Sequence, residues 1–204
     1  MRLTRFLNRA TVMACLASPA AAADFSDPTW PCVQRKIETL SMGLMWPHPV
    51  EDASDEISQA LAVQIGDLAD TLALRRVELE DIKPLVQQFS DAHQKDVAIL
   101  GQVFSRVFDT LSTRRAQIIK GIGTFSLGQI ELAEKIDASR QEMSDLLAQD
   151  TPDFDRIDGI EEQLDWDQLI HSDRQQSIQY LCETPQLIER RLFSISQMLQ
   201  QASK

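Results

Sequence analysis

The sequence predicts an all-α fold, an elongated antiparallel helical bundle with long coiled-coil-like helices and an irregular N-terminal tail. From about residue 54 onward, apolar residues recur at spacings of three and four, which is the period of an amphipathic helix. The chain of 204 residues has many glutamines, but its only asparagine is Asn8. Glutamine favours helix interiors, whereas asparagine favours turns. No Asn-Gly or Asp-Gly pair lies between alternating apolar residues, so the usual signal of a β-hairpin is missing.

Residues 1–23 have the pattern of a secretory signal peptide. Three arginines within the first nine residues precede a short apolar stretch at 11–17, and a run of alanines ends at Ala23. This pattern predicts cleavage near Ala23 and a periplasmic or secreted protein. The competing interpretation is a lipobox that ends at Cys15, but it leaves almost no apolar run before the cysteine. No later run of about 18 apolar residues occurs, so we expect no transmembrane helix and no membrane insertion.

The chain is acidic, with a formal net charge of −11 at pH 7. Removal of residues 1–23 takes away three arginines and no acidic residue, which brings the charge to −14. A protein with this excess of negative charge repels phosphate backbones and anionic lipids. We therefore expect neither nucleic acid nor a membrane surface as a partner, and a solvated acidic surface accounts for the charge most simply.

Two cysteines remain after cleavage, Cys32 and Cys182. In an oxidising compartment two such thiols are expected to form a disulfide. The bond would close a loop of 150 residues and, in the chain-entropy treatment, stabilise the fold by about 4–5 kcal/mol. It would tie the N-terminal segment to the far end of the chain. The alternative is two unpaired thiols, one of them reactive or metal-binding.

The sequence divides the mature chain into a tail and a bundle. Residues 24–53 contain four prolines and predict an irregular tail tethered by the disulfide, with one short helix from Pro31 to about residue 40. Residues 54–204 predict the helical bundle. Its first helix would be capped by Ser54 or Asp55. The apolar stripe of this helix comprises Ile57, Leu61, Ile65, Leu68 and Leu72.

Two further helices follow in the predicted bundle. One begins at Asp81 and keeps a single apolar phase as far as Leu111. The next, over about 113–148, would be capped by Ser112 and has the alternating spacing of a coiled-coil seam. Three glycines at 121–128 raise the alternative of a break there, because glycine costs about 1 kcal/mol in a helix interior; we favour one long helix. The seam comprises Ile118, Ile122, Phe125, Gln129, Leu132, Ile136, Ser139, Met143 and Leu146.

The C-terminal quarter predicts two more helices. The first opens at residues 151–153, and Trp166, Leu169 and Ile170 are expected to widen its inner face. The second would begin with Thr184 as its cap and Pro185 at its first position. This division places Cys182 at a helix–helix corner. The inner stripes comprise Ile157, Ile160, Leu164, His171, Ile178 and Cys182, and then Ile188, Leu192, Ile195 and Leu199.

The tail contains one group of residues with the chemistry of a metal site. Met42, Met45 and His48 offer the thioether and imidazole ligands that Cu(I) prefers, and Trp46 beside them can stabilise a cation. The simpler interpretation is that the methionines and the tryptophan pack the tail onto the bundle, since methionine commonly fills irregular gaps. Copper binding through this group is therefore the second hypothesis.

The histidines raise the question of haem. His171 and His93 both lie in phase with apolar stripes, so in principle they could ligate one haem or metal ion inside the bundle. A histidine on an apolar face is more commonly hydrogen-bonded in the core or at its boundary. No Cys-x-x-Cys-His motif occurs, which excludes covalent c-type haem. No Glu-x-x-His occurs either, as a ferritin-like di-metal site would require. We expect no cofactor.

No sequence signature of catalysis is present: the chain lacks Gly-x-Ser-x-Gly, His-Glu-x-x-His, a phosphate loop and a dinucleotide fingerprint. We therefore expect a periplasmic accessory or interaction protein that is not an enzyme. It would present a helical face, or the tail with Trp30 and Trp46, to a protein partner or to a second copy of itself. The alternative is a periplasmic carrier of copper or haem.

Overall fold

The computed structural model describes residues 27–50 and 57–204. The predicted signal peptide and the predicted caps Ser54 and Asp55 lie outside these ranges. The all-α prediction is confirmed: helices account for most of the described residues, and no strand occurs among them. A single 3-10 turn is followed by four helices, α1 to α4 in chain order. Their bounds are Met42–Leu44 for the turn and Gln59–Ala73, Leu79–Ala92, Val97–Leu147 and Phe154–Ala202 for the helices.

Helices α3 and α4 are 51 and 49 residues long and pack against each other in antiparallel directions. Each is on the order of 75 Å long at 1.5 Å per residue. Helix α4 begins where predicted, because the carboxylate of Asp153 accepts a hydrogen bond from the backbone N–H of Arg156 at 3.0 Å. The predicted seam of α3 is buried or half-buried over its whole length. The three glycines at 121–128 lie inside a continuous helix, as we favoured.

Helices α1 and α2 cover only one end of this long pair. Helix α1 packs on α3, and α2 packs on α4. The hydroxyl of Ser90 in α2 donates to the carbonyl of Ala202 at 2.7 Å, which joins α2 to the last turn of α4. We call this end the base: the tail, α1, α2, α3 as far as residue 126 and α4 from residue 178. Its largest fully buried side chains are Phe104, Ile65, Leu72, Leu100, Leu111, Ile122, Ile188, Leu192, Ile195 and Leu199.

The other end of the long pair is a two-helix hairpin, residues 127–177, which we call the stalk. Its apolar core is a separate cluster to which only α3 and α4 contribute. From residue 127 to the end of α3 the stalk is about 30 Å long at 1.5 Å per residue. The stalk core comprises Ile136, Ile160 and Leu164, with Leu132, Met143 and Leu146 packed against it.

The break between α2 and α3 lies at residues 93–96, not at Ser112 as the sequence predicted. Ser112 lies inside α3, where its hydroxyl donates to the carbonyl of Asp109. At the true break Gln94 and Lys95 have φ angles of 56° and 59°, in the left-handed region. The backbone N–H of Lys95 bonds to the carbonyl of Ser90 at 2.8 Å, which closes the end of α2. The turn contains neither glycine nor proline, so its only sequence signal is Asp96, whose carboxylate caps α3 by accepting from the backbone N–H of Ala98.

The predicted corner at Thr184 is also wrong, because α4 runs unbroken through it. The hydroxyl of Thr184 donates to the carbonyl of Tyr180, one turn back along the same helix. Pro185 is buried inside the helix. Cys182 therefore lies in the middle of α4, at the level where the base meets the stalk.

The predicted disulfide between Cys32 and Cys182 is confirmed, with the two Cα atoms 5.5 Å apart. It ties the tail to α4. The short helix predicted from Pro31 to about residue 40 does not form, and the only helical turn of the described tail is Met42–Leu44. In the described parts of the chain, no helix combines the length and the apolar character that a membrane span requires.

Candidate interaction surface

The two tryptophans of the tail pack inward. Trp30 is 6% exposed and Trp46 is 2% exposed. The Trp46 ring stacks on Phe104 of α3 at a centroid distance of 5.4 Å, and Trp30 packs beside the disulfide against Ile122. A buried ring cannot contact a partner without first leaving the core. The prediction that Trp30 and Trp46 bind a partner therefore has to be corrected: they anchor the tail.

Polar contacts fasten the tail along the base. The Arg115 guanidinium lies 2.7 Å from the Glu189 carboxylate and also donates to the carbonyl of Glu38 at 3.4 Å. Further along the tail, the Ser196 hydroxyl donates to the carbonyl of Met45 at 2.7 Å. The bonds to the Glu38 and Met45 carbonyls join the tail to α3 and α4, and the Arg115–Glu189 pair joins these two helices to each other. The tail is thus part of the base and not a free segment.

The candidate copper ligands lie in one segment of the tail, with Met42 and Met45 at the 3-10 turn and His48 three residues beyond it. Met42 and Met45 are half-buried against the base core, as the packing interpretation requires. The His48 side chain is exposed, with its ring edge-on to Trp46 at a centroid distance of 5.6 Å. Elsewhere too, the described residues bring no three His, Cys, Asp or Glu side chains together in a metal-binding group. Copper binding by Met42, Met45 and His48 stays a prediction.

The two in-phase histidines lie far apart, so the haem hypothesis that paired them is wrong. His93 ends α2, where its Nε2 atom lies 3.0 Å from the Gln64 Oε1 atom. This end of α2 is bonded to Ala202, as described above. His171 precedes Ala202 by 31 positions in the same helix, which amounts to about 45 Å at 1.5 Å per residue. His171 instead offers its carbonyl to the Gln129 side chain across the stalk.

The stalk carries most of the net charge of the protein. Residues 127–177 contain fourteen acidic and four basic residues, a net charge of −10, whereas residues 24–126 and 178–204 together have a net charge of −4. Two of the cations are held by acids across the two helices: Lys135 by Asp167 at 2.8 Å and Arg156 by Glu142 at 2.6 Å. The Lys135 ammonium lowers the pKa of the Asp167 carboxyl, and Glu142 raises the pKa of Arg156. The few cations of the stalk therefore do not neutralise its acidic residues, and the stalk keeps a negative potential.

Helix α4 also exposes apolar side chains on the face that points away from α3. Trp166 is 58% exposed and Tyr180 is 74% exposed. The prediction that Trp166, Leu169 and Ile170 widen the inner face is therefore wrong, because α3 already covers the opposite side of the helix. We call this set the outer stripe. It comprises Trp166, Leu169, Ile170, Tyr180 and Leu187.

The tip of the stalk is apolar as well. Leu147 and Phe154 flank the connection between α3 and α4 and are 52% and 63% exposed. The connecting residues 148–153 include two aspartates, so the tip combines an apolar pair with negative charge. The tip thus repeats the acidic and apolar character of the outer stripe.

The sequence contains a signal for the outer stripe. We overlooked it because we assigned α4 a single apolar face. Trp166, Asp173, Tyr180 and Leu187 follow one another at intervals of seven residues. Such a repeat indicates a second seam beside the inner stripe.

No protein-family model, no curated protein and no solved structure matches this chain. The inference of function therefore depends on these surfaces.

Proposed function

We propose that this protein is an exported, periplasmic accessory protein without catalytic activity, and that it binds a protein partner through its stalk. One observation carries the proposal: the stalk combines most of the net charge with exposed tryptophan and leucine side chains on rigid helices. Tryptophan and tyrosine are enriched among the residues that dominate binding energy at protein interfaces. Exposed apolar groups that lie together on one surface mark interaction sites.

The base supports this function by holding the stalk in place. Helices α1 and α2, the tail and the disulfide all act on the same end of the α3–α4 pair. A surface held on rigid helices loses little conformational entropy when it binds. We infer that the base orients the stalk, while the stalk makes the contact.

The proposed location rests on two features. The N-terminal residues have the pattern of a signal peptide, and the disulfide Cys32–Cys182 is of a kind that persists in oxidising compartments. Both features fit a periplasmic protein. Mass spectrometry of the N-terminus of the exported protein tests the expected cleavage near Ala23.

Site-specific photo-crosslinking in the producing cells tests the function. A photoreactive amino acid is placed on the stalk at Ile130, Phe154 or Leu169, and at Val63 on α1 as a control. The control is well matched, because Val63 is 55% exposed and Leu169 is 53% exposed. We expect a discrete crosslinked protein from at least one stalk position and none from Val63. Crosslinks from Val63 alone, or from no position, would overturn the proposal.

A shortened stalk provides a second test. Deletion of residues 133–146 together with 156–169 removes two heptads from each helix, which preserves the phase of the seam and the tip. The base core lies outside the deleted segments, so we expect the variant to fold with a proportionate loss of helical circular dichroism. It should lose the stalk crosslink while keeping the disulfide. A variant that folds and still yields the same crosslink would contradict the proposed role of the stalk.

A copper carrier remains the second candidate, because the Met42–His48 segment places two thioethers and an exposed imidazole on one anchored turn. Titration of the purified protein with Cu(I) against a competing chelator tests it. Replacement of Met42 and Met45 by leucine should abolish any binding tighter than micromolar while preserving the apolar packing. Absence of such binding in the unaltered protein removes this candidate.

A further inference from the structure

The outer stripe has the geometry of an unpaired coiled-coil seam. Trp166, Asp173, Tyr180 and Leu187 occupy one position of a seven-residue repeat along α4. All four are exposed, and the side of the helix that faces α3 is already filled by the inner stripe. Leu169 lies three residues after Trp166 and serves as the second seam position of that heptad. From Trp166 to Leu187 the seam spans about 30 Å at 1.5 Å per residue.

Acidic side chains accompany this seam and cations do not. Between positions 157 and 189, α4 has a single basic residue, Arg174. Successive residues of an α-helix are rotated by about 100° around its axis. By this geometry, the seam and the acidic residues near it together occupy about a third of the circumference of α4. Asp165, Asp173 and Glu183 lie alongside or within the seam, whereas Asp155, Asp158 and Glu162 continue the same face toward the tip of the stalk; all six are exposed.

We propose that the outer face of α4, from Trp166 to Leu187, binds one basic amphipathic helix of a protein partner as a coiled coil. This inference rests on the proposed function, names the chemistry of the partner and extends the contact beyond the stalk, because Tyr180 and Leu187 lie on the base end of α4. The apolar face of the partner would cover Trp166, Leu169 and Tyr180, and lysine or arginine side chains beside it would meet the acidic row. A cation of the partner would lie opposite Asp173, because a polar residue within a seam selects its register.

Charge favours this occupant over a second copy of the protein. Two outer faces brought together from Trp166 to Leu187 would place three carboxylates of one copy near three of the other, and like charges across an interface cost several kcal/mol. A basic helix turns the same charges into attraction, which also accelerates association at low ionic strength. The acidic row thus selects a basic partner and keeps the protein from pairing with itself.

The test uses the full exported protein and a defined probe. The probe is a synthetic helical peptide of four heptads with lysine at both flanking positions and leucine at both seam positions, except for one lysine at the seam position that faces Asp173. Trp166 is the one exposed tryptophan among the three of the chain, since Trp30 and Trp46 are buried. We therefore expect the probe to shift the fluorescence of Trp166 to shorter wavelength, with a midpoint that moves to higher peptide concentration as salt is added. The same peptide with glutamate in place of lysine should not bind.

Two variants locate the binding face. The double substitution Leu169→Ala and Tyr180→Ala should weaken binding at least about tenfold, the scale of a lost hot spot. Asp173→Lys should weaken binding of the lysine probe to a similar degree. The same variant should bind a second probe that has glutamate at the seam position facing residue 173. Phe193→Ala is the matched control: Phe193 is 51% exposed on the opposite side of α4, and its loss should leave the affinity unchanged. All substituted residues are exposed, and circular dichroism confirms that each variant keeps its helix content.

Several outcomes would overturn the inference. Equal binding of the lysine and glutamate probes, or no effect of the double substitution, would remove the outer face as the site. Self-association in sedimentation experiments that the same double substitution abolishes would identify a second copy as the occupant. In-cell crosslinks from Ile130 or Phe154 but not Leu169 would overturn this inference while leaving the proposed function intact. Absence of every stalk crosslink would overturn both.

Discussion

The indole of Trp46 lies directly over Gly101 of α3. A β-carbon at position 101 would come within 3.2 Å of the indole Nε1 atom and 3.4 Å of Val50. Glycine at this position therefore leaves the space into which the tail inserts its largest side chain. The indole also stacks on Phe104 of the same helix. The tail docks on α3 through this ring, which explains why Trp46 is buried and does not serve a partner.

The contact predicts opposite effects for two glycines of the same helix. Gly101→Ala should destabilise the fold by about 1 kcal/mol, because overpacking of a filled site costs more than the gain in helix propensity. Gly121→Ala is the matched control, since nothing lies within 4 Å of an added β-carbon there. It should stabilise by about 0.5–1 kcal/mol. Urea unfolding followed by circular dichroism measures both, and a stabilising Gly101→Ala would contradict the account of Trp46.

Removal of the disulfide should weaken the base. The Cys32→Ser and Cys182→Ser double variant frees a loop of 150 residues, and we expect a loss of about 2–5 kcal/mol in the free energy of unfolding. The tail should detach first, because the disulfide lies in the small cluster that holds Trp30. Limited proteolysis compares cleavage between residues 27 and 50 in the variant and the unaltered protein. Identical unfolding and cleavage would show that the other tail contacts suffice.

Arg191 is predicted to be the polar residue that holds the α1–α2 connection. Its guanidinium donates to the carbonyl of Leu72 at 2.9 Å and to that of Val77 at 3.1 Å, and burial lowers its pKa. Arg191→Met should cost about 2–3 kcal/mol, since both carbonyls lose a charged donor. The neighbouring Arg190 is exposed, so Arg190→Met should change stability by less than about 0.5 kcal/mol. Equal effects of the two substitutions in thermal unfolding would contradict this role.

Asp27 makes the attachment of the tail sensitive to acid. Hydrogen bonds from Thr29, followed by Lys36, lower the pKa of its carboxyl to about 2 from an ordinary value of 3.8. A carboxyl with a lowered pKa in the folded state stabilises the fold above pH 3.8, and this contribution is lost as the pH falls through about 2. Asp27→Asn should therefore reduce stability at neutral pH and have no effect near pH 2.

Carboxyl NMR tests the cause of this shift. The Asp27 signal should titrate near pH 2 in the unaltered protein. In a Thr29→Val, Lys36→Met variant it should titrate closer to its ordinary pKa, because the donors that favour the carboxylate are gone. An Asp27 signal that already titrates near pH 4 in the unaltered protein would contradict the prediction.

Local patterns were enough to predict that helices form, and not enough to predict where they end. The seam of α3 and the cap at Asp153 were readable because each depends on residues a few positions apart. The break at Gln94 and Lys95 was not, because these residues adopt left-handed backbone conformations without glycine. Ser90, four positions before Gln94, hydrogen-bonds to Ala202, more than one hundred positions away, and so fixes this end of α2 against α4.

The outer stripe illustrates a second limit. The sequence places Trp166 and Leu169 on an apolar face of α4, but periodicity does not say which of two apolar faces a neighbouring helix covers. Helix α3 covers the face of Ile160 and Leu164, which leaves the other one exposed. The Met42–His48 turn is similar: the residue types were evident, whereas its anchoring on α4 depends on tertiary contacts.

By itself, the sequence determined that the chain is helical and that its net charge is strongly negative, and it predicted that Cys32 pairs with Cys182. Helix formation depends on hydrogen bonds and apolar spacings within a few residues, whereas the pairing was expected from the signal-peptide pattern and the two remaining cysteines. Only the tertiary structure decided that Cys182 lies within a continuous helix, that the tail tryptophans are buried and that a strongly acidic stalk extends from a base with a smaller net charge. These features depend on contacts between residues that are distant in sequence. Local sequence patterns do not predict the free energies of such contacts.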